Sequence, residues 1–362
     1  MLPSVAPFAT TFTPEVPDLL AGLRCSVALS TYQAGKVVVF APKGEELSQL
    51  NRTFDSPMGL AVDGEGEGLR FAVATQDRVE VLANAPSMAS NYPAQPGVYD
   101  ALLLPRATYH TGPLDLHDLA WARPGGQGAP ALVGVNTRFS CLCRITEARS
   151  FEAFWQPRFI SVLDPGDRCH LNGMAVENGR PRYVTALGAT DTPRGWSDGR
   201  LLGGVVVDVD SGETVAAGLA MPHSPRLAFG ALWVLLSATG ELARVDPASG
   251  RVEVVTRLGG FARGLAVRGD YLFIGLSKIR QRSTFAGLPV SGDAGRSGIA
   301  IVHAPSGRVA GKIEFLASVE EVYDVAVLPE TGRPGVVGTH QDAARRAIVV
   351  EGGGYWAVPA EG

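Results

Sequence analysis

Three of the chain's six histidines stand at the starts of short segments that resemble one another. Imidazole is the side chain best suited to bind a transition metal or to move a proton near neutral pH. The segments are Ser56-Pro57-Met58-Gly59-Leu60-Ala61, Leu116-His117-Asp118-Leu119-Ala120, His170-Leu171-Asn172-Gly173-Met174-Ala175, His223-Ser224-Pro225-Arg226-Leu227-Ala228, Phe261-Ala262-Arg263-Gly264-Leu265-Ala266 and Val322-Tyr323-Asp324-Val325-Ala326. Aligned on Gly59, the residues three before it are Ser56, Asp115, His170, His223, Phe261 and Glu321. The residues just before it are Met58, His117, Asn172, Pro225, Arg263 and Tyr323. Side chains two apart on a strand share a face, so these positions are expected to converge. His117, His170, His223 and Glu321 are then candidate ligands for a divalent transition metal such as Zn, Fe, Mn or Cu. Asp115 or Asn172 would fix the orientation of the rings. Without a metal, the same histidines, Glu321 and Tyr323 form an acid/base pocket. Arg263, a two-pronged partner for carboxylate or phosphate, points to an anionic group on the substrate.

The elements that must position these residues are strands. The segments recur every 40 to 60 residues, and each leads into further apolar, β-rich runs, the pattern of a radial β repeat. The fold is therefore expected to be all-β, a single propeller of six four-stranded blades, with the resembling segments as the innermost strands. Two units carry the same turn between their third and fourth strands, Asp246-Pro-Ala-Ser-Gly250 and Ala304-Pro-Ser-Gly307. The strands of residues 26–54 lack an inner strand of their own. They are expected to complete the last blade, closing the ring with both ends of the chain; a seventh blade built from both termini is the alternative. After the last inner strand, Val336 to Thr339 and Ala347 to Val350 read as its next strands. Residues 1–23 form an extension with a short helix near Pro17 to Leu23, and 24–362 form the propeller.

The starts of the inner strands share a rim with the longer connections. Residues 188–203, with Trp196, and 277–298, with Lys278 and Arg280, are long loops of that kind, and Tyr32 to Gly35 is a short one. Tyr32, Trp196, Lys278 and Arg280 join Arg263, Asn172 and Asp115 as candidate substrate contacts. Residues 84–112 read as an insertion before the second inner strand, and His340 to Arg345 as one more rim loop. Asp118 and Asp324 replace the reference glycine; the structural reading gives them Arg226 or backbone amides as partners. Cys169 beside His170 is a poor nucleophile–base pair, because neighbours on a strand point to opposite sides.

Composition narrows the classes. A net charge of −4 with no basic block gives no electrostatic footing for nucleic acid. No apolar run is long enough to span a membrane, no phosphate-binding or dinucleotide fingerprint occurs, and the start of the chain lacks the features of a leader. Four scattered cysteines do not make a disulfide framework. The expectation is a cytoplasmic protein with no nucleotide cofactor.

Several segments are similar to those of an uncharacterised bacterial family of propeller proteins: Leu29-Ser-Thr-Tyr-Gln-Ala-Gly-Lys36, Ser56 to Ala61, His170 to Ala175, Met221-Pro-His-Ser-Pro-Arg226 and Phe273-Ile-Gly-Leu-Ser-Lys-Ile-Arg280. The resemblance implies a propeller with a shared rim and no particular reaction. More distantly the chain resembles six-bladed gluconolactonase and strictosidine-synthase-like propellers; their calcium sites use Glu, Asn and Asp, from which a histidine ring departs. Two functions follow as expectations. One is an enzyme, metal-dependent, acting at the channel mouth on a small or peptide-like anionic substrate by hydrolysis, elimination, isomerisation or oxidation. The other is a non-catalytic scaffold that binds a protein or peptide partner through its rim loops.

Overall fold

Six antiparallel sheets stand around a common axis in the computed structural model, which describes residues 5–278, 287–292 and 295–358. Each blade runs outward from strand A to strand D. Blade 1 comprises Leu60–Asp63, Arg70–Ala74, Arg78–Asn84 and Ala101–His110. Blade 2 comprises Leu116–Ala122, Ala131–Asn136, Cys141–Arg144 and Glu152–Trp155. Blade 3 comprises Leu171–Glu177, Arg180–Ala186, Gly204–Asp208 and Thr214–Leu219. Blade 4 comprises Pro222–Ala228, Ala231–Leu236, Glu241–Val245 and Val252–Arg257. Blade 5 comprises Phe261–Arg268, Tyr271–Ser277, Gly298–His303 and Arg308–Phe315, with Thr10–Phe12 added along its outer edge.

Blade 6 closes the ring. Its strand A is Asp324–Pro329, near the end of the chain, and it pairs with Cys25–Thr31 from the beginning; Lys36–Lys43 and Glu46–Thr53 follow. The expected closure by both termini is present, and six blades complete the circle. Three sequence expectations need correction. Val336 and Ala347 do not begin strands of blade 6. Pro334–Val336 instead pairs in parallel with the outer strand of blade 1, and Ala347–Val350 forms a separate hairpin with Gly353–Trp356. The helix Asp342–Arg346 leads into that hairpin, so His340 to Arg345 is not a loop between blade strands. The supposed insertion at 84–112 also contains strand D of blade 1, Ala101–His110, after a short helix Pro86–Ala89.

Both faces of each blade are apolar and press against neighbouring blades. Leu29 and Phe40 of blade 6, for example, share a cluster with Phe273, Ile299 and Ile301 of blade 5. Helix Val16–Gly22, opened by Pro17, drives Val16 and Leu20 into that same cluster and so seals the join. Each fully buried large side chain of this kind contributes roughly 1.5–3 kcal/mol.

The axis is crowded. A Cβ added to Gly59 would stand 3.0 Å from the backbone of Asp118, and one added to Gly264 would stand 2.6 Å from the Val325 amide nitrogen. Glycine at this position lets inner strands of successive blades approach one another. Where a side chain replaces it, that side chain bridges to the next blade. Asp118 accepts the Met174 amide, Asp324 accepts the Leu60 amide, and Ser224 accepts the Gly264 amide.

Candidate active site

The backbone fixes which residues are equivalent. Ser56, Asp115, His170 and Met221 all adopt left-handed conformations, with φ of 47°, 54°, 52° and 54°, at the point where the chain turns into strand A. Four blades share this geometry, so it belongs to the turn and is not a strain peculiar to His170. Met221 therefore stands where the alignment placed His223, and His223 stands where it placed Pro225. The two-residue slip arose because Ser224 replaces glycine in blade 4, while the downstream Arg226-Leu227-Ala228 imitates the motif. A shift of two keeps a side chain on the same face, so His223 still belongs with the others. The corrected ring takes one residue from each blade in turn: Met58, His117, Asn172, His223, Arg263 and Tyr323.

These residues meet at one mouth of the channel. The His117 and His170 rings stand edge to face with centroids 4.8 Å apart, and His117 lies 5.1 Å from the Tyr323 ring. The Arg263 guanidinium carbon sits 3.7 Å above the Tyr323 ring, and its Nη2 donates to Glu321 Oε1 at 2.5 Å. His223 packs against Phe261 at 5.8 Å. Asn172 Oδ1 accepts a hydrogen bond from Thr185 Oγ1.

Each imidazole is held by its Nδ1. In blade 2, His117 Nδ1 is 3.0 Å from the Asp115 carbonyl and 2.7 Å from Thr137 Oγ1. Thr137 gives its one proton to the Leu171 carbonyl, so it can only accept from His117. Blade 4 repeats the arrangement. His223 Nδ1 is 3.0 Å from the Met221 carbonyl and 2.8 Å from Ser237 Oγ, whose proton goes to the Ala262 carbonyl. His170 Nδ1 instead faces a carboxylate, Asp167 Oδ2 at 2.9 Å. That oxygen also accepts the Trp196 indole N–H at 3.0 Å, and the Trp196 ring lies 4.4 Å from the imidazole. The network thus places a proton on Nδ1 of each ring, so that in the neutral form of a ring Nε2 carries the lone pair. Among the described residues no hydrogen-bond partner stands at any of the three Nε2 atoms.

Burial, together with the nearby His170 and Arg263 charges, holds the His117 pKa well below the ordinary imidazole value. His223 is lowered in the same way, by burial first and then by Arg263. Both rings stay neutral at neutral pH. Burial raises the Tyr323 phenol well above its usual value, so it keeps its proton. Burial also pushes the Cys169 thiol up to about 12, which removes it as a thiolate nucleophile.

The remaining predicted residues divide. Asp115 holds Arg138 at 2.9 Å and uses its carbonyl on His117. Tyr32, 37% exposed, stacks 5.9 Å from Tyr323 and forms the outer lip. Trp196 is only 3% exposed, and its N–H is taken by Asp167; it props His170 and does not face solvent. Lys278 is exposed on the rim, tied through its backbone to Glu320. Arg280 lies outside the described residues. Glu321 is committed to Arg263. Asp167, Thr137 and Ser237 escaped the sequence reading. Asp167, three residues before His170, carried a visible signal; the two hydroxyls carried none, because they sit at the ends of strands B.

A shared metal fits this arrangement poorly. Nδ1-anchored rings are what a metal site would need, but Glu321 is paired, a guanidinium stands among the rings, and His117 and His223 come from alternate blades. Among the described residues no three His, Cys, Asp or Glu side chains lie close enough to hold one ion.

Farther down the axis Arg226 crosses the channel to Asp118 in a two-pronged pair, Nη1–Oδ2 2.7 Å and Nη2–Oδ1 3.1 Å. It also donates to the carbonyls of Met174 and Leu265. Together with this bridge, residues of all six A strands line a cavity of about 330 Å³. The structural roles expected for Asp118 and Asp324 are those observed.

The sequence pattern of one family spans residues 14–337, described as a domain of unknown function (DUF4915). The chain belongs to the DUF4915 family. No curated protein matches it. Among solved structures it is similar to a chain of a nidogen/laminin complex, with a TM-score of 0.52 at 10% identity, covering 84% of this chain and 98% of that one. It is equally similar to a protein of unknown function from Bacteroides caccae, with a TM-score of 0.51 at 8% identity and the same coverage of 84% and 98%. At such identity these likenesses speak for the fold alone. The family's pattern stops before the hairpin of residues 347–356.

Proposed function

We propose that this DUF4915 protein is an enzyme that moves a proton on a small molecule bound at the channel mouth. The observation that carries this reading is the common anchoring of three imidazoles by Nδ1, which leaves three Nε2 atoms without a hydrogen-bond partner among the described residues. His170 is the general base. It alone has a carboxylate behind it, and Asp167 stabilises the imidazolium that forms when Nε2 takes a proton. His117 and His223, kept neutral, accept hydrogen bonds from the substrate and orient it. Tyr323 retains its phenolic proton and supplies a donor. Arg263 holds an anionic group with the guanidinium protons that Glu321 leaves over.

The test is turnover. Small carboxylates incubated with the protein in D2O are followed by proton NMR for exchange or conversion. His170→Gln should reduce the rate by about 10²–10⁴-fold while thermal unfolding stays within a few degrees of the parent. Conversion that survives this change would refute the assignment. Elemental analysis supplies a second check: stoichiometric Zn, Fe, Mn or Cu that is lost in His170→Ala would replace this reading with a metal-dependent one.

A further inference from the structure

Building on that reading, we infer that the molecule held at the mouth is an α-amino carboxylate, the free amino acid or the end of a short peptide. Three consecutive positions of the ring, in blades 3, 4 and 5, are Asn172, His223 and Arg263. Asn172 is 3% exposed and Arg263 8% exposed, yet Asn172 Nδ2 and Arg263 Nε are buried with no hydrogen-bond partner. A donor left unmade in a buried place costs about 1–3 kcal/mol, so both call for an acceptor. One of them is cationic, and a carboxylate answers both. Between them His223 offers the reverse, an Nε2 lone pair that calls for a donor. The ligand must therefore carry a carboxylate and, within a bond or two of it, an N–H or O–H.

Charge selects between these. Arg263 is answered by Glu321 and Arg138 by Asp115. Among the described residues the Asp167 carboxylate has only His170 and Trp196 as hydrogen-bond partners, neither a fixed cation, and its Oδ1 is buried without a partner. An ammonium beside the carboxylate makes the ligand neutral overall and adds nothing to this excess, whereas a hydroxy acid would add a second negative charge to the site. The imidazoles accept the ammonium protons, and His170 Nε2 is placed to take one of them. The proton moves from the ammonium nitrogen to His170 and leaves a neutral amine. No other bond changes in that step.

Isothermal titration calorimetry on the full chain tests the ligand class without turnover. The probes are the common L-α-amino acids, with L-lactate, propionate and propylamine as controls. At least one amino acid should bind in the millimolar range or tighter, with each control about tenfold weaker or worse. Asn172→Ala and Arg263→Lys should each weaken that binding about tenfold or more, and Lys43→Ala, on an exposed outer hairpin of blade 6, should leave it unchanged. Arg263→Lys keeps the charge and removes the Nε–H, and its thermal unfolding reports whether the fold survives. Failure of every amino acid to bind, lactate binding as tightly as the best of them, or full affinity in a folded Arg263→Lys protein would overturn the inference. Amino-acid binding that persists while His170→Gln leaves turnover unaffected would instead defeat only the proposed general base.

Discussion

Ser237 and His223 are linked by a hydrogen bond whose direction is forced. The hydroxyl gives its single proton to the Ala262 carbonyl of the next blade, so it receives the Nδ1 proton of the imidazole 2.8 Å away. Thr137 and His117 repeat this two blades earlier. Elsewhere Ser277 and Ser30 also send their hydroxyl protons to a neighbouring blade, to the carbonyls of Val322 and Met58. The contact that joins blade to blade therefore also sets the histidine tautomer.

Ser237→Ala should then do two things. It leaves the Ala262 carbonyl without that donor and should lower stability by about 1–2 kcal/mol, measured by urea unfolding. It also removes one of the two acceptors at His223 Nδ1, so the Nδ1–H tautomer should lose population in nitrogen-15 NMR. Loss of stability with no change at His223 would separate the two roles.

Asp118→Asn should cost about 3 kcal/mol, because it strips the charge from the partner of a guanidinium held among backbone carbonyls. Arg226→Met should be milder than the sum rule suggests when combined with Asp118→Asn, since the pair is lost only once. Denaturant titration of the two single variants and the double variant reads this directly. Additive losses would mean that the bridge contributes nothing as a pair.

Acid and base should act on stability in opposite senses at two places. Burial, with the Asp118 charge behind it, raises Asp324 to about 7. The folded state then binds a proton that the unfolded chain releases near pH 4. This group's contribution is full below that lower value and fades as the pH rises to about 7. Asp324→Asn should flatten that part of the profile, at most about 1.4 kcal/mol per pH unit. His117 and His223 have lowered values, so their contribution is present above the unfolded imidazole value of about 6.5 and is lost as the pH falls below it. His223→Gln should flatten the acid limb. Unfolding midpoints between pH 4 and 8 for the three proteins check both signs.

Much of this was readable from the chain because propeller periodicity is carried by strand A itself. Gly59, Gly173 and Gly264 recur where inner strands crowd the axis, and that recurrence marked the ring. The histidines were found for the same reason. Their partners were not, because Thr137 and Ser237 sit on strands B, where a hydroxyl looks like any other strand-end residue. The alignment slipped in blade 4 because Ser224 stands there in place of the glycine, while Arg226-Leu227-Ala228 two residues on imitates the motif. Strand D of blade 1 was missed because a helix and a long connection, 86–100, separate it from strand C. The closure of the ring by both ends of the chain was legible, but the strand at Pro334–Val336 was not, because its parallel pairing leaves no hairpin signal in the sequence.

The account stands on where three protons reside. Nitrogen-15 long-range correlation spectra of the uniformly labelled protein, recorded at neutral pH and assigned with His117→Gln, His170→Gln and His223→Gln, report the tautomer of each ring. The account predicts Nδ1–H and an unprotonated Nε2 for His117 and His223, and a proton held on Nδ1 of His170 against Asp167. Rings carrying their proton on Nε2, with Nδ1 bare, would contradict it.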